Sequence, residues 1–236
     1  MMLKPYYETP LGKLYHGDCL DIMPMLEPVD LVLTDPPYNV SYCADIKRTW
    51  RPSPIKRDFG DWDKEFNPQD SITKCLSLDP KGVVCFVSDN TFGDVYGLLV
   101  KNFEYCRYIV WDKTNPVPKI LKTTWRQSTE LIIHGHNNGG VNFSDQNDMR
   151  NVIKEGTCSH QSVDHPTQKP SALINKLLCV SSNENDLVLD MFAGSGTTLW
   201  CCERLKRKWI GIEIEEKYCE IAAKRIENER KQRKLF

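Results

Sequence analysis

The sequence of 236 residues has no CxxC pair, no Gly-Lys-Ser or Gly-Lys-Thr ending on a glycine turn, and no strong excess of either charge. Nor does it have a run near the roughly 18 apolar residues that a membrane-spanning helix requires. Each absence removes a class of protein. The ten cysteines stand singly in apolar stretches (Cys85, Cys106, Cys179) or as the neighbours Cys201 and Cys202. That pattern suits buried thiols in a reducing cytosol rather than a disulfide framework. The opening stretch MMLKPYYETP lacks an apolar core, so no secretory leader is expected and the expected location is cytoplasmic. Cys158, His160 and His165 match no zinc-ligand spacing, so no metal site is expected. A formal charge of −1 does not advertise a partner, because only local clusters of charge meet a phosphate backbone.

What is present is a globular composition, 40% apolar and 27% charged, in a chain long enough for one domain over residues 1–236. Seven segments read as strands: 12–16, 29–34, 83–88, 105–111, 129–134, 187–190 and 208–213. Several are near-continuous apolar runs, as in strands covered on both faces. Helical spacing over 170–181 puts Leu173, Ile174, Leu177 and Leu178 on one face, with Pro170 suited to the first turn. A second helix follows residue 215 through Tyr218, Ile221, Ala222 and Ile226, and ends in a charged stretch. Alternating strands and helices predict an α/β domain with a mostly parallel sheet. Long loops at about 41–70, 112–128 and 135–165 are candidate recognition segments.

Two strand ends carry chemistry. In LVLTDPPYNV (31–40) an apolar run stops at Thr34, and Asp35, Pro36, Pro37 and Tyr38 follow. In DLVLDMFAGSGTTL (186–199) a strand ends at Asp190, and Phe192, Ala193, Gly194, Ser195 and Gly196 turn into a helix through Thr197 and Thr198. Glycines at such a turn let a ligand approach the backbone beneath a helix N-terminus. The loop is not a phosphate-binding P-loop, and Leu199 stands where a dinucleotide site has its third glycine. The next strand ends in Glu213, an acid able to accept hydrogen bonds from a ribose diol. Glycine turn plus acid without a phosphate cradle suits S-adenosylmethionine; the plainer reading is an ordinary left-handed turn.

Taken together, DPPY after one strand and FAGSGTT after another resemble the DNA amino-methyltransferases, with HPTQKP (165–170) directly before the donor loop. The motif order is similar to the permuted β group, and FGDWDKEF (59–66) is similar to its small adenine-N6 members. The resemblance runs from LYHGDCLDIM to WIGIEIEEKYCEIA and implies a Rossmann-like S-adenosylmethionine-dependent fold, with a seven-stranded, mostly parallel sheet and circularly permuted motifs. It implies a cofactor site of Asp18, Thr167, Lys169, Asp190, Phe192, Ala193, Gly194, Ser195, Gly196, Thr197 and Glu213. Within that set Phe192, Ala193, Gly194 and Gly196 line the methionine and ribose, Glu213 takes the ribose hydroxyls, and Asp18 meets the adenine amine. Thr167 and Lys169 sit near the methionine carboxylate. Asp18 is equally suited to cap the helix that follows it.

The implied catalytic group is Asp35, Pro36, Pro37 and Tyr38. The adenine N6 lone pair is delocalised into the ring, so two fixed acceptors aimed at its hydrogens favour attack on a sulfonium methyl. The Asp35 carboxylate is one and the Pro36 carbonyl the other, held by backbone that adjacent prolines restrict. Tyr38 stacks on a base flipped from the duplex. Lys47, Arg48, Arg51, Lys56 and Arg57 around Trp50 suit phosphates, as does a second stretch with Lys113, Lys119, Lys122, Trp125 and Arg126. The Asn-rich loop 137–151 could read base edges. DNA is the implied partner, a homodimer is the implied assembly, and a cognate restriction enzyme is compatible with both. The other readings are a cytosine-N4 enzyme, an RNA or protein-amide methyltransferase, an idle DNA-binding subunit and an NAD-dependent oxidoreductase. Family members of the cytosine type more often begin the tetrad with Ser, so Asp35 favours adenine.

Overall fold

A computed structural model describes residues 3–37, 68–118, 125–158 and 168–233. Its strands are β1 (Tyr7–Glu8), β2 (Gly12–His16), β3 (Leu31–Thr34), β4 (Gly82–Val87), β5 (Tyr105–Lys113), β6 (Thr129–His136), β7 (Val152–Glu155), β8 (Leu187–Asp190) and β9 (Lys208–Glu213). They form one sheet in the order β1-β2-β9-β8-β3-β4-β6-β5-β7. Only β1 and β6 run against the common direction. The sheet thus has nine strands rather than the expected seven. The two unforeseen ones, β1 and β7, are edge strands of two and four residues, too short to leave an apolar run in the sequence.

Helices cover both faces. On one side lie α1 (Cys19–Ile22), α2 (Pro68–Leu76) and α3 (Phe92–Asn102), whose Ile22, Ile72, Val95 and Leu99 share a core with Val32, Val83 and Ile133. On the other lie α4 (Ser171–Ser181), α5 (Thr197–Arg204) and α6 (Glu216–Arg233). There Leu173, Leu177, Leu199, Cys219 and Ile226 pack against Leu14, Leu31, Phe86 and Trp209. The expected face of α4 is buried as a unit, and Pro170 is its N-cap. Cys179 on the same helix is exposed, against the expectation of a buried thiol, because helical rotation turns it away from that face. The described cysteines are all free thiols. No described helix is long and apolar enough to cross a membrane.

The strand order places the chemistry. β3 and β8 are neighbours, yet β3 leads outward to β4 and β8 leads the other way to β9. Chains diverging from two adjacent parallel strands open a crevice at their carboxyl ends, the usual ligand position in such sheets. The expected recognition loops shrink accordingly. β5 extends to Lys113, β6 to His136, β7 interrupts 135–165, and α2 starts at Pro68. β6 runs antiparallel, with His136 opposite Gly82 at the start of β4. It therefore delivers the Asn-rich loop to the end of the sheet opposite the crevice. There Asn137 accepts from the Glu104 amide, and Asn142 binds Val180, Ser182 and Asn183 around the end of α4. These side chains hold backbone together at that far end.

Candidate active site

Asp35 leaves the end of β3 beside the loop that follows β8. Register pairs Leu31 with Val188 and Val32 with Leu189, so Thr34 arrives next to Asp190 and donates its hydroxyl to Asp190 Oδ1 at 3.2 Å. One cavity is lined by Asp35, Phe86, Lys169, Asp190 and Phe192 through Ser195, with Thr197 and Thr198 at the start of α5. The turn that shapes it has two residues at positive φ, Gly194 at 49° and Gly196 at 75°. Positive φ favours glycine at both, and at Gly196 an added Cβ would also lie 2.6 Å from Ala222 Cβ.

Each donor-loop residue has a structural reason. Asp190 is 4% exposed and accepts from the Phe192 amide at 3.2 Å as well as from Thr34. Burial drives its carboxyl up to about 7; hydrogen bonds from Thr198, Phe192 and Thr34 oppose this, and the nearby Asp35 charge adds to it. The sign of the linkage follows. Between about 4 and 7 the folded chain holds a proton at Asp190 that the unfolded chain has lost, so this group's contribution falls as pH rises. Relative to wild type, Asp190→Asn should therefore gain stability from pH 4 to 7, read as the difference in denaturant midpoints; a pH-independent difference would contradict the protonated Asp190.

Glu213, at the end of β9, is 8% exposed and clamps the loop from the other side. Its Oε2 accepts from the Gly194 amide at 2.7 Å and its Oε1 from the Glu215 amide at 2.8 Å. Burial raises its carboxyl, and those backbone donors counter the rise. Glu213→Ala should weaken donor binding on the order of tenfold, since hydrogen bonds to a charged group contribute about 1.5 kcal/mol or more. Isothermal titration with the donor checks this, and unchanged affinity would remove Glu213 from the site. Asp18 caps α1, accepting from the Leu20 amide at 2.8 Å, and the Gly17 amide bonds to the Glu213 carbonyl at 3.0 Å. The capping role is thus realised, on a residue adjacent to the Glu213 end of β9.

The least expected arrangement concerns Lys169. Its ammonium lies 2.5 Å from Asp35 Oδ2 and 3.4 Å from Glu130 Oε2, and 4.9 Å from the centre of the Phe86 ring. Burial alone would lower its pKa; Asp35 and Glu130 outweigh that and raise it, keeping the ammonium charged. Glu130 pairs in turn with Lys113 at 2.7 Å. Lys113, read from sequence as a phosphate contact, is therefore committed to a carboxylate. Glu130 went unnoticed in the sequence, although a carboxylate opening the apolar strand TELIIH was a usable signal.

Arg225 of α6 was also missed. It donates to Thr197 Oγ1 at 2.9 Å and stacks over Trp200, and its Nη atoms face the Gln168 side-chain amide, whose oxygen accepts from both at 3.1 Å when the amide is turned toward the guanidinium. Trp125 is 97% exposed on the segment entering β6, and Arg126 folds back onto the carbonyls of Val117 and Pro116. Tyr38, Thr167, His160, His165, Lys119, Lys122 and the basic loop with Trp50 lie outside the described residues. Among the described residues no group of three or more metal-ligating side chains occurs.

With this geometry in hand, comparison with known proteins is specific. A family model described as DNA methylase (N6_N4_Mtase) matches residues 29–224. The Type II methyltransferase M2.LlaDCHI of Lactococcus lactis subsp. cremoris is 32% identical over 253 residues, covering 96% of this chain and 93% of that one. M2.DpnII of Streptococcus pneumoniae is 31% identical over 256 residues, covering 97% and 94%. The crystal structure of an M1.HpyAVI–SAM complex superposes with a TM-score of 0.71 at 29% identity, over 91% of this chain and 98% of that one. The α/β sheet, its crevice at the β3/β8 divergence and these matches across nearly the whole chain make it a member of the N6/N4 DNA methylase family.

Proposed function

We propose that this DNA methyltransferase acts on the N6 amine of adenine, taken from a base flipped out of the duplex. The observation that carries the reading is the shared cavity of Asp35 and the glycine-rich loop, an acceptor carboxylate beside a donor pocket. S-Adenosylmethionine is the methyl donor, and when bound it supplies an electrophilic methyl on a sulfonium. The pocket residues fit it. Gly194 leaves the loop wall without a side chain, Phe192 offers an apolar surface, Asp190 presents a carboxyl group to the cavity, and the Glu213 carboxylate, which holds the Gly194 amide from behind, suits a diol.

The chain's own work is positioning and proton handling. The Asp35 carboxylate accepts one hydrogen of the amine and the Pro36 carbonyl the other, which shifts the nitrogen lone pair out of conjugation. Asp35 takes the departing proton only after transfer, when the alkylated nitrogen is cationic and gives it up readily. Flipping costs a few kcal/mol, and stacking on Tyr38 recovers about 1–3 kcal/mol. A homodimer, and a restriction enzyme sharing the recognition site, belong to the same reading; sedimentation tests the first, and protection of methylated plasmid the second.

Labelled donor and plasmid DNA, followed by mass analysis of nucleosides, test the base. N6-methyladenine is expected. N4-methylcytosine would overturn the choice of base, and DNA left unlabelled would overturn the choice of substrate.

A further inference from the structure

Four charges of alternating sign run inward from the acceptor: Asp35, Lys169, Glu130 and Lys113, at 2.5, 3.4 and 2.7 Å. They come from four places, the end of β3, the segment before α4, the start of β6 and the end of β5. The side chains of Lys169, Lys113 and Glu130 are only 9%, 12% and 17% exposed. At such depth an unpaired charge is costly, so each member depends on the next. The Phe86 ring backs the ammonium and limits where it can stand.

An ammonium this close to Asp35 has a drawback for amine methylation. Were Asp35 its sole counter-ion, it would draw charge from the oxygens that must accept the amine hydrogens. A second carboxylate on the other side of the ammonium relieves that demand. We propose that Glu130 is a positioning residue for the reaction: held by Lys113, it shares the Lys169 ammonium, so that Asp35 keeps its strength as an acceptor. The inference rests on the amine-methylation reading above. Among the described residues, the charged groups that bear on Asp35 include Lys169 and, through it, Glu130 and Lys113, with Asp190 of β8 coupled from the donor loop.

Steady-state kinetics with donor and adenine-containing duplex test it. Glu130→Gln keeps the shape and removes the charge. It should lower kcat on the order of tenfold or more, as misplacement of catalytic groups does, with KM for the donor essentially unchanged; the melting temperature should fall, because buried Lys113 loses its carboxylate, so kcat is read well below it. Glu130→Asp should recover part of the loss. In a double mutant with Lys169→Met, Glu130→Gln should cost nothing further, because it acts through Lys169. Wild-type kcat in E130Q, or a loss that adds in full to that of K169M, would overturn the proposal. Lys113→Met serves if E130Q does not fold; it should lower kcat less, and wild-type turnover by K113M would then count against Glu130. A wild-type enzyme that methylates no DNA amine overturns the functional reading and this inference with it. Amine methylation by wild type together with full activity of E130Q overturns the inference alone.

Discussion

Asp35→Ala should reduce methyl transfer by about 10³-fold or more while leaving donor affinity nearly unchanged. The size follows from removing a fixed acceptor placed where positive charge develops, for which losses of about 10²–10³ are typical, compounded by loss of the proton acceptor. Donor affinity is spared because the donor loop is held independently of Asp35. The Gly194 amide is fixed by Glu213 and the Phe192 amide by Asp190. The fold is spared as well, since Lys169 retains Glu130 as a counter-ion. Single-turnover transfer of label, beside equilibrium binding of the donor, separates the two quantities. Transfer within tenfold of wild type would show that Asp35 is not the acceptor.

Gly196→Ala should lower stability by roughly 2–5 kcal/mol and weaken donor binding. Gly196 is the N-cap of α5 at φ 75°, a conformation costing an L-residue about 1–2 kcal/mol. A Cβ there would also lie 2.6 Å from Ala222 Cβ and 3.1 Å from its Cα, on a helix that packs directly against α5. Overpacking of that kind costs typically 1–3 kcal/mol more. Gly139 is the control: φ is 79°, but a Cβ there would meet nothing within 4 Å. Gly139→Ala should therefore show the backbone cost alone. Denaturant unfolding of the two variants measures the difference, and equal losses would mean that α6 yields to the added methyl group.

How far the site was legible varies by residue, and the reason is locality. Gly194, Gly196 and Asp190 sit in one short strand-turn-helix, where close backbone approach demands glycine and the strand end presents the acid. The same holds for Asp35 and its prolines. α4 was legible because Leu173, Ile174, Leu177 and Leu178 encode its buried face directly. β1 and β7 were not, because brief edge strands carry no periodic signal. The position of the Asn-rich loop was not legible either, because a loop's composition does not say which end of the sheet it reaches; β6, running antiparallel, decides that.

The sequence by itself thus determined the buried strands, the main helix faces, the two functional turns and the class of chemistry they serve, since each depends on residues adjacent along the chain. The tertiary structure alone decided the charge order around the acceptor. Lys169 meets a carboxylate 134 positions away, and Glu130 and Lys113 converge on it from neighbouring strands. No local pattern announces such a pairing. Burial at the carboxyl ends of β3 and β5 makes those charges depend on one another, and only the folded arrangement of β3, β5 and β6 brings them within reach.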